Sequence, residues 1–231
     1  MNNVLITGAS RGLGLALAQK FYHSHWGVYL VVRTESAKVA VSEKLPDANI
    51  LVSDVTCDEY ESKLGPWLGE ATIDVLINNA GTVTKAPTLG STQAEYLRKE
   101  FDTHCVSALS TVKGSLDALK QSPQPIIINI SSRRGSMKIQ SELKTKGCGV
   151  SYSYRIGKAA QNMLTLCLAD DLEDMNIKVV AVHPGRLLTR MGWTDAHITP
   201  SDSAKKIVQL VEANQLKHRD YVCLETGTLP W

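Results

Sequence analysis

Apolar residues along the chain follow two spacings in alternation. Short continuous runs, Val4-Leu5-Ile6, Val28 to Val32, Ile50-Leu51-Val52, Val75-Leu76-Ile77, Ile126 to Ile130 and Lys178 to Val182, read as strands. Between them the apolar positions recur at helical spacing. Leu13, Leu17 and Phe21 mark a helix from Gly12 to Ser24, and a weaker one runs from Glu35 to Leu45 before Pro46. Asp58 to Leu68 reads as a short helix disturbed by Pro66.

Leu97, Phe101, Cys105, Leu109, Val112, Leu116 and Leu119 predict one face of a long helix that ends before Pro123, with Gly114 a mild cost inside it. A further helix runs from about Tyr154 to Met175, with Met163, Leu164, Cys167, Leu168 and Leu172 facing inward. Thr199-Pro200-Ser201 opens a last helix through Val211, and Tyr221 to Leu224 reads as an edge strand before the tail Gly227 to Trp231. Residues 133–151 show no periodicity and read as a long loop over a site, and a second loop opens at His183-Pro184-Gly185. The β, α, β, α order predicts an α/β fold, a doubly wound parallel sheet of about seven strands with helices on both faces.

At 231 residues and 43% hydrophobic, the chain is long enough for a sizeable core and fits a single domain, 1–231. A net charge of +2, without a basic block, argues against nucleic acid as a partner. The N-terminus lacks a secretory pattern and the apolar runs are short, so no membrane partner is expected. Five widely spaced cysteines, Cys57, Cys105, Cys148, Cys167 and Cys223, form no CxxC pair. No metal site is expected, a reducing cytoplasm is the simplest location, and Cys105 and Cys167 read as core residues.

The candidate chemistry begins at Thr7 to Gly14, where Gly8, Gly12 and Gly14 occupy the turn between the first strand and the first helix. Such a turn sets backbone N–H groups and a helix N-terminus against a phosphate, although glycine spacing alone also describes any tight turn. Asp54 and Asn78-Asn79-Ala80-Gly81 follow strands three and four, at the carboxyl ends where open α/β sheets bind ligands. Arg11 and Arg33 fall near the position of an adenosine ribose, and no acid stands beside Arg33 to accept from a 2′-hydroxyl. Two arginines suit a 2′-phosphate, so NADP(H) is expected over NAD(H); solvated surface arginines are the alternative.

Tyr154 and Lys158 lie four apart on one helix face, where an ammonium can stabilise a tyrosinate. The spacing is common by chance. Its position after the strand that ends in Ser131-Ser132 is more telling. Arg186 and Arg190 flank Leu187-Leu188 in the second loop and suggest carbonyl substrates carrying a carboxylate or phosphate, solvated loop arginines being the bland alternative.

These residues together resemble the short-chain dehydrogenase/reductase (SDR) family. TGASRGLG (Thr7 to Gly14), Asp54-Val55, NNAG (Asn78 to Gly81), the Ser-Ser pair, YRIGK (Tyr154 to Lys158) and HPGRLLT (His183 to Thr189) occur in that family's order over nearly the whole chain. SSRRGS (Ser131 to Ser136) and the ending GTLPW are similar to the carbonyl reductase subgroup that contains sniffer and the bacterial C-factor proteins. The resemblance implies a Rossmann-type fold and an NADPH-dependent reduction of a ketone or aldehyde, or alcohol oxidation in reverse.

It implies Tyr154 as the proton donor to the carbonyl oxygen, with Lys158 lowering the tyrosine pKa and binding the nicotinamide ribose, and Ser132 polarising the substrate oxygen. For the cofactor it implies Gly8, Ser10, Arg11, Gly12, Leu13 and Gly14 at the phosphates, and Arg33 and Asp54-Val55 at the adenosine. Asn79, Ala80 and Gly81 would line the ribose, while Pro184, Gly185, Leu187 and Thr189 would lie at the nicotinamide. One position departs from the family pattern: His104 stands where a catalytic Asn is usual. Its backbone carbonyl could serve a water relay to Lys158, or it could be a packing histidine. A dinucleotide-binding signalling protein with little turnover is the competing class; monomer and homo-oligomer both remain open.

Overall fold

The computed structural model describes residues 1–144, 147, 149–189 and 196–231. Arg190 and Cys148 lie outside them. Among the described residues, eight strands form one sheet: β1 (Asn3–Thr7), β2 (Gly27–Val32), β3 (Asn49–Val52), β4 (Val75–Asn78), β5 (Ile126–Ile130), β6 (Lys178–His183), β7 (Tyr221–Cys223) and β8 (Gly227–Thr228). Their order is β3-β2-β1-β4-β5-β6-β7-β8. The first seven are parallel and β8 returns antiparallel on β7. The eighth strand lies within the tail beyond the expected edge strand; two residues are too few for a periodic signal.

The helices are α1 (Gly12–His23), α2 (Glu35–Ser42), α3 (Tyr60–Leu68), α4 (Ala94–Phe101), α5 (Ser107–Lys120), α6 (Met137–Ser141), α7 (Tyr152–Leu172) and α8 (Pro200–Glu212). The expected long helix ending near Lys120 is divided: residues Asp102–Val106 form a π-helical turn between α4 and α5. The expected loop after β5 contains a 3-10 turn (Arg133–Gly135) and α6. Side chains set the helix starts. Thr34, Ser151 and Thr199 accept the N–H groups of Ala37, Tyr154 and Asp202.

Each face of the sheet carries its own core. Val4, Ile6, Leu30, Ile128 and Val180 pack with Leu17 and Phe21 of α1 and Ile207 of α8. Leu5, Leu76, Ile127 and Val179 pack with Leu64 of α3, Val112 of α5 and Leu168 of α7. Strands covered on both sides need apolar residues at every position, which is why they read as continuous runs.

Two helix faces are turned from the expected orientation. Cys167 is exposed and Cys105 half-buried, so neither is a core residue. Met163, Phe101 and Leu109 are also exposed. The buried face of α7 instead carries Ser153, Gly157, Lys158, Gln161 and Thr165, joined by Leu168 and Leu172. Glu100, His104, Ser107, Thr111 and Ser115 occupy the matching face from α4 through α5. Polar side chains have taken the inward stripe because these helices enclose a site.

Gly114 has a packing role. A Cβ there would fall 2.9 Å from the Glu61 carbonyl oxygen and 3.1 Å from Leu64 Cβ, where α3 crosses α5. Gly114→Ala gains up to about 1 kcal/mol of helix propensity but overpacks the crossing at a cost of about 1–3 kcal/mol. A net loss of about 1 kcal/mol in urea unfolding is expected. Gly90→Ala, with open space around the added methyl, should show no such loss.

Candidate active site

Strand order reverses between β1 and β4, and a cleft of about 1170 Å3 opens above the carboxyl ends of the sheet there. Every candidate residue named for catalysis or cofactor binding lines this one cleft. At one end the chain leaves β1 through Gly8 (φ +67°), whose N–H bonds the Val31 carbonyl. A Cβ at Gly8 would lie 2.9 Å from Ala80 Cα, and one at Gly14 only 2.4 Å from the Gly8 oxygen. The turn therefore closes only with glycine at both places. No side chain caps α1 and its first turn holds no acid, which leaves its N-terminal N–H groups and positive dipole end toward the cleft.

Thr7 and Asn79 strap this turn to the end of β4. Thr7 Oγ1 accepts the N–H groups of Asn79 and Ala80, both at 3.0 Å, and Asn79 Nδ2 donates to the carbonyls of Thr7 and Gly8. Arg11 and Arg33 are exposed at the rim. Asp54 turns one carboxylate oxygen onto the Thr56 N–H and hydroxyl.

At the other end α7 brings Tyr154 and Lys158 beside Ser132, which follows β5. Lys158 is buried; its Nζ donates to the Ile130 carbonyl at 2.7 Å and to Gln161 Oε1 at 2.9 Å, and lies 6.0 Å from the Tyr154 ring centroid. Burial lowers its pKa to about 7, against an opposing pull from the Glu100 carboxylate. Burial raises that of the Tyr154 phenol, and hydrogen bonding with the Ser132 side chain works the other way. Ser132 itself is held from two sides: Tyr221 Oη donates to its carbonyl, and its Oγ accepts the Arg134 N–H.

His104 is fully buried in the π-helical turn, with its ring edge-on to that of Tyr154 at 5.5 Å between centroids. The Thr82 carbonyl, 2.9 Å from Nε2, assigns the proton to that nitrogen, and Nδ1 has no partner among the described residues. Glu100 Oε2 lies 3.7 Å from Nε2. Glu100 Oε1 accepts the Thr84 N–H at 2.7 Å and the Ser153 hydroxyl at 2.9 Å. Burial pushes its pKa up, but hydrogen bonding from His104, Thr84 and Ser153 more than offsets it, so the carboxyl is held below its usual range. Burial first, then the Lys158 charge, lowers the His104 pKa to about 4.

Glu100, Gln161 and Tyr221 are the site residues that sequence reasoning missed. Glu100 sits one helical turn before His104, a buried acid inside an amphipathic pattern, and that was the one available signal. Gln161 is one turn beyond Lys158, whereas nothing along the chain links Tyr221 to Ser132. The expectation for Arg186 changes: its side chain and backbone N–H bind Glu225, so the guanidinium is already engaged. Among the described residues, no helix is long and apolar enough to cross a membrane.

A parallel sheet with a glycine turn at its order reversal, facing a Ser, a Tyr and a Lys across the same cleft, defines an NAD(P)-dependent oxidoreductase architecture. Residues 2–197 match the short chain dehydrogenase family, and the chain belongs to it. Among curated relatives, C-signal of Myxococcus xanthus is 29% identical over 160 residues, covering 69% of this chain and 93% of the relative. The NADPH-bound carbonyl reductase from chicken fatty liver superposes with a TM-score of 0.87 at 26% identity, covering 100% of this chain and 99% of that one. Carbonyl reductase Sniffer of Drosophila melanogaster gives 0.86 at 28% identity, with full coverage of both.

The depressed His104 pKa has a stability consequence. An unfolded histidine takes up its proton near pH 6.5, whereas the folded one resists protonation to about pH 4. Stability contributed by the neutral ring is therefore present above pH 6.5 and lost as pH falls from there toward 4. Urea midpoints of His104→Asn should fall less over that interval than those of the wild type.

Proposed function

We propose that the protein is an NADPH-dependent reductase of ketones or aldehydes, with Tyr154 as proton donor, Lys158 as its electrostatic partner and Ser132 as the carbonyl-binding hydroxyl. The observation that carries this reading is the buried Lys158 Nζ beside the Tyr154 ring, on the helix that faces Ser132. The residues fit the cofactor. The uncapped N-terminus of α1 suits the pyrophosphate. Arg33, not an acid, follows β2, with Thr34 as the next residue, which suits a 2′-phosphate at that corner. Pro184, Gly185, Leu187 and Thr189 line the far end.

The bound cofactor supplies a hydride to the carbonyl carbon. Ser132 donates its Oγ hydrogen to the carbonyl oxygen and holds it within reach of the Tyr154 hydroxyl. Tyr154 gives its proton to that oxygen as negative charge develops there. Lys158 stabilises the resulting tyrosinate while Ile130 and Gln161 fix its position. His104 sets its ring edge-on to that of Tyr154 and supports it from that side. Of the substrate loops expected at 133–151 and 184–200, Arg133, Arg134 and Pro184 to Thr189 line the cleft, in a single domain spanning 1–231 that acts on a small carbonyl compound in the cytoplasm.

Purified protein should oxidise NADPH with a panel of small carbonyls. Tyr154→Phe should lower kcat by about 10²–10⁴-fold while NADPH affinity, read by fluorescence titration, stays unchanged. Cofactor binding without turnover on the panel would instead favour the signalling class, which the C-signal relationship brings forward.

Arg33→Ala should weaken NADPH by about tenfold or more, the worth of a charge-assisted hydrogen bond, and leave NADH nearly unchanged. Kcat/KM measured with each cofactor gives the comparison.

A further inference from the structure

Three side chains to which the reductase reading gives no role converge under the loop after β6, one of them, His183, at the wall of the cleft. His183 ends β6 and Cys223 ends β7, and the pairing of those strands sets the two residues side by side. Glu225 follows two residues on, in the turn to β8. One donor atom from each lies within 4.8 Å of the others. His183 is 6% exposed and Cys223 3%.

Neither ring nitrogen of His183 has a hydrogen-bond partner among the described residues. Leaving such groups buried and unsatisfied is costly, and whichever nitrogen carries the lone pair is open to a metal ion.

Glu225 is held ready in the same direction. Its Oε1 takes the Arg186 guanidinium at 3.0 Å and His197 Nε2 at 3.1 Å. Its Oε2 takes the backbone N–H of Arg186 at 3.0 Å, a neutral donor that leaves one lone pair for another partner. A Cβ at Gly185 would lie 2.5 Å from Ile198 Cδ1 and 3.2 Å from Glu225 Oε2, so glycine there leaves room for both side chains. Among the described residues, Cys223 Sγ accepts only the weak N–H contact of Glu225 at 3.4 Å.

We propose that His183, Cys223 and Glu225 bind a divalent cation of the zinc type. An imidazole nitrogen, a sulfur and a carboxylate oxygen form a borderline-soft donor set, whereas magnesium and calcium require oxygen ligands throughout. Zinc bonds of about 2.0–2.3 Å place tetrahedral ligands roughly 3.5 Å apart, so the widest pair closes by about 1 Å and water fills the fourth position. On binding, the Cys223 S–H bond breaks, its proton leaves to solvent and a metal–sulfur bond forms. The thiolate and carboxylate then balance the dication beside Arg186 and Arg133. The proposal does not depend on hydride transfer.

The test uses tag-free full-length protein, stripped of metal and free of cofactor, with Co2+ as the spectroscopic probe. One equivalent should bind with a thiolate-to-cobalt charge-transfer band in the near ultraviolet, displaced by Zn2+ but not by Mg2+. Cys223→Ser should abolish the band, His183→Gln and Glu225→Gln should weaken Co2+ binding by about tenfold or more, and Cys167→Ser should leave it unchanged. Wild-type protein provides a check free of folding effects: Zn2+ should slow alkylation of Cys223, read by peptide mass, without protecting the exposed Cys57 and Cys167. Absence of the band at saturating Co2+, its survival in folded Cys223→Ser, or an alkylation rate at Cys223 indifferent to Zn2+ would overturn the assignment.

Discussion

The strap between Thr7 and Asn79 governs the geometry of everything above the sheet. At the point where strand order reverses, the connections leaving β1 and β4 run to opposite faces and a gap must open between them. Thr7 Oγ1 gathers two backbone N–H groups from beyond β4, while the Asn79 amide returns two bonds to the carbonyls that end β1. Four bonds therefore fix the base of the gap without filling it. Gly8 and Gly14 then admit no side chain, because a methyl at either would strike backbone. The start of α1 is thus aimed at the same space as the ends of β4 and β5.

The strands were legible in the sequence because both faces of the sheet are covered, and Ile126 to Ile130 leaves little room for another reading. The glycine turn, Asp54, Asn78 to Gly81 and Ser132 were legible because they stand at strand ends, and Tyr154 and Lys158 because they lie one turn apart at the start of α7. Helix orientation was not, and the reason is specific. From α4 to α5 and along α7 the inward stripe is polar, so hydrophobic periodicity pointed to Cys167 and Met163, on the outside. Polar groups can occupy that stripe because many satisfy themselves within their own helix. Ser107, Thr111, Ser115 and Thr165 each donate a hydroxyl to the carbonyl four residues earlier. That pattern carries no signal in hydropathy.

The ending GTLPW was recognisable as a phrase, but its work depends on contacts across about the last hundred residues. Trp231 stacks on Tyr221 at 4.8 Å, and Ser136 Oγ donates to the Pro230 carbonyl. Tyr221 in turn bonds the Ser132 carbonyl. The C-terminus therefore clamps the turn after β5 from both sides, which fixes the Ser132 backbone while leaving its hydroxyl toward the cleft. Separations of 89 and 94 residues between the bonded partners put this arrangement beyond any local reading of the chain.

His104 can occupy its position because of Glu100 and Lys158 together. A buried cation needs a counter-charge, and Glu100 supplies one whose Oε1 is satisfied by Thr84 and Ser153, while Oε2, without a hydrogen-bond partner among the described residues, faces His104. With Lys158 charged, protonating His104 would place a second cation in the same low-dielectric space, so the Lys158 field joins burial in holding the ring neutral. The neutral ring offers an N–H to Thr82 and a flat face to its neighbours, which are the demands that an uncharged polar residue meets there. An aromatic residue without the N–H would leave the Thr82 carbonyl unanswered, and a permanent cation would pull Lys158 further below its ordinary pKa. His104 is therefore matched by an acid one turn away, and the two positions form a single electrostatic unit beneath the tyrosine.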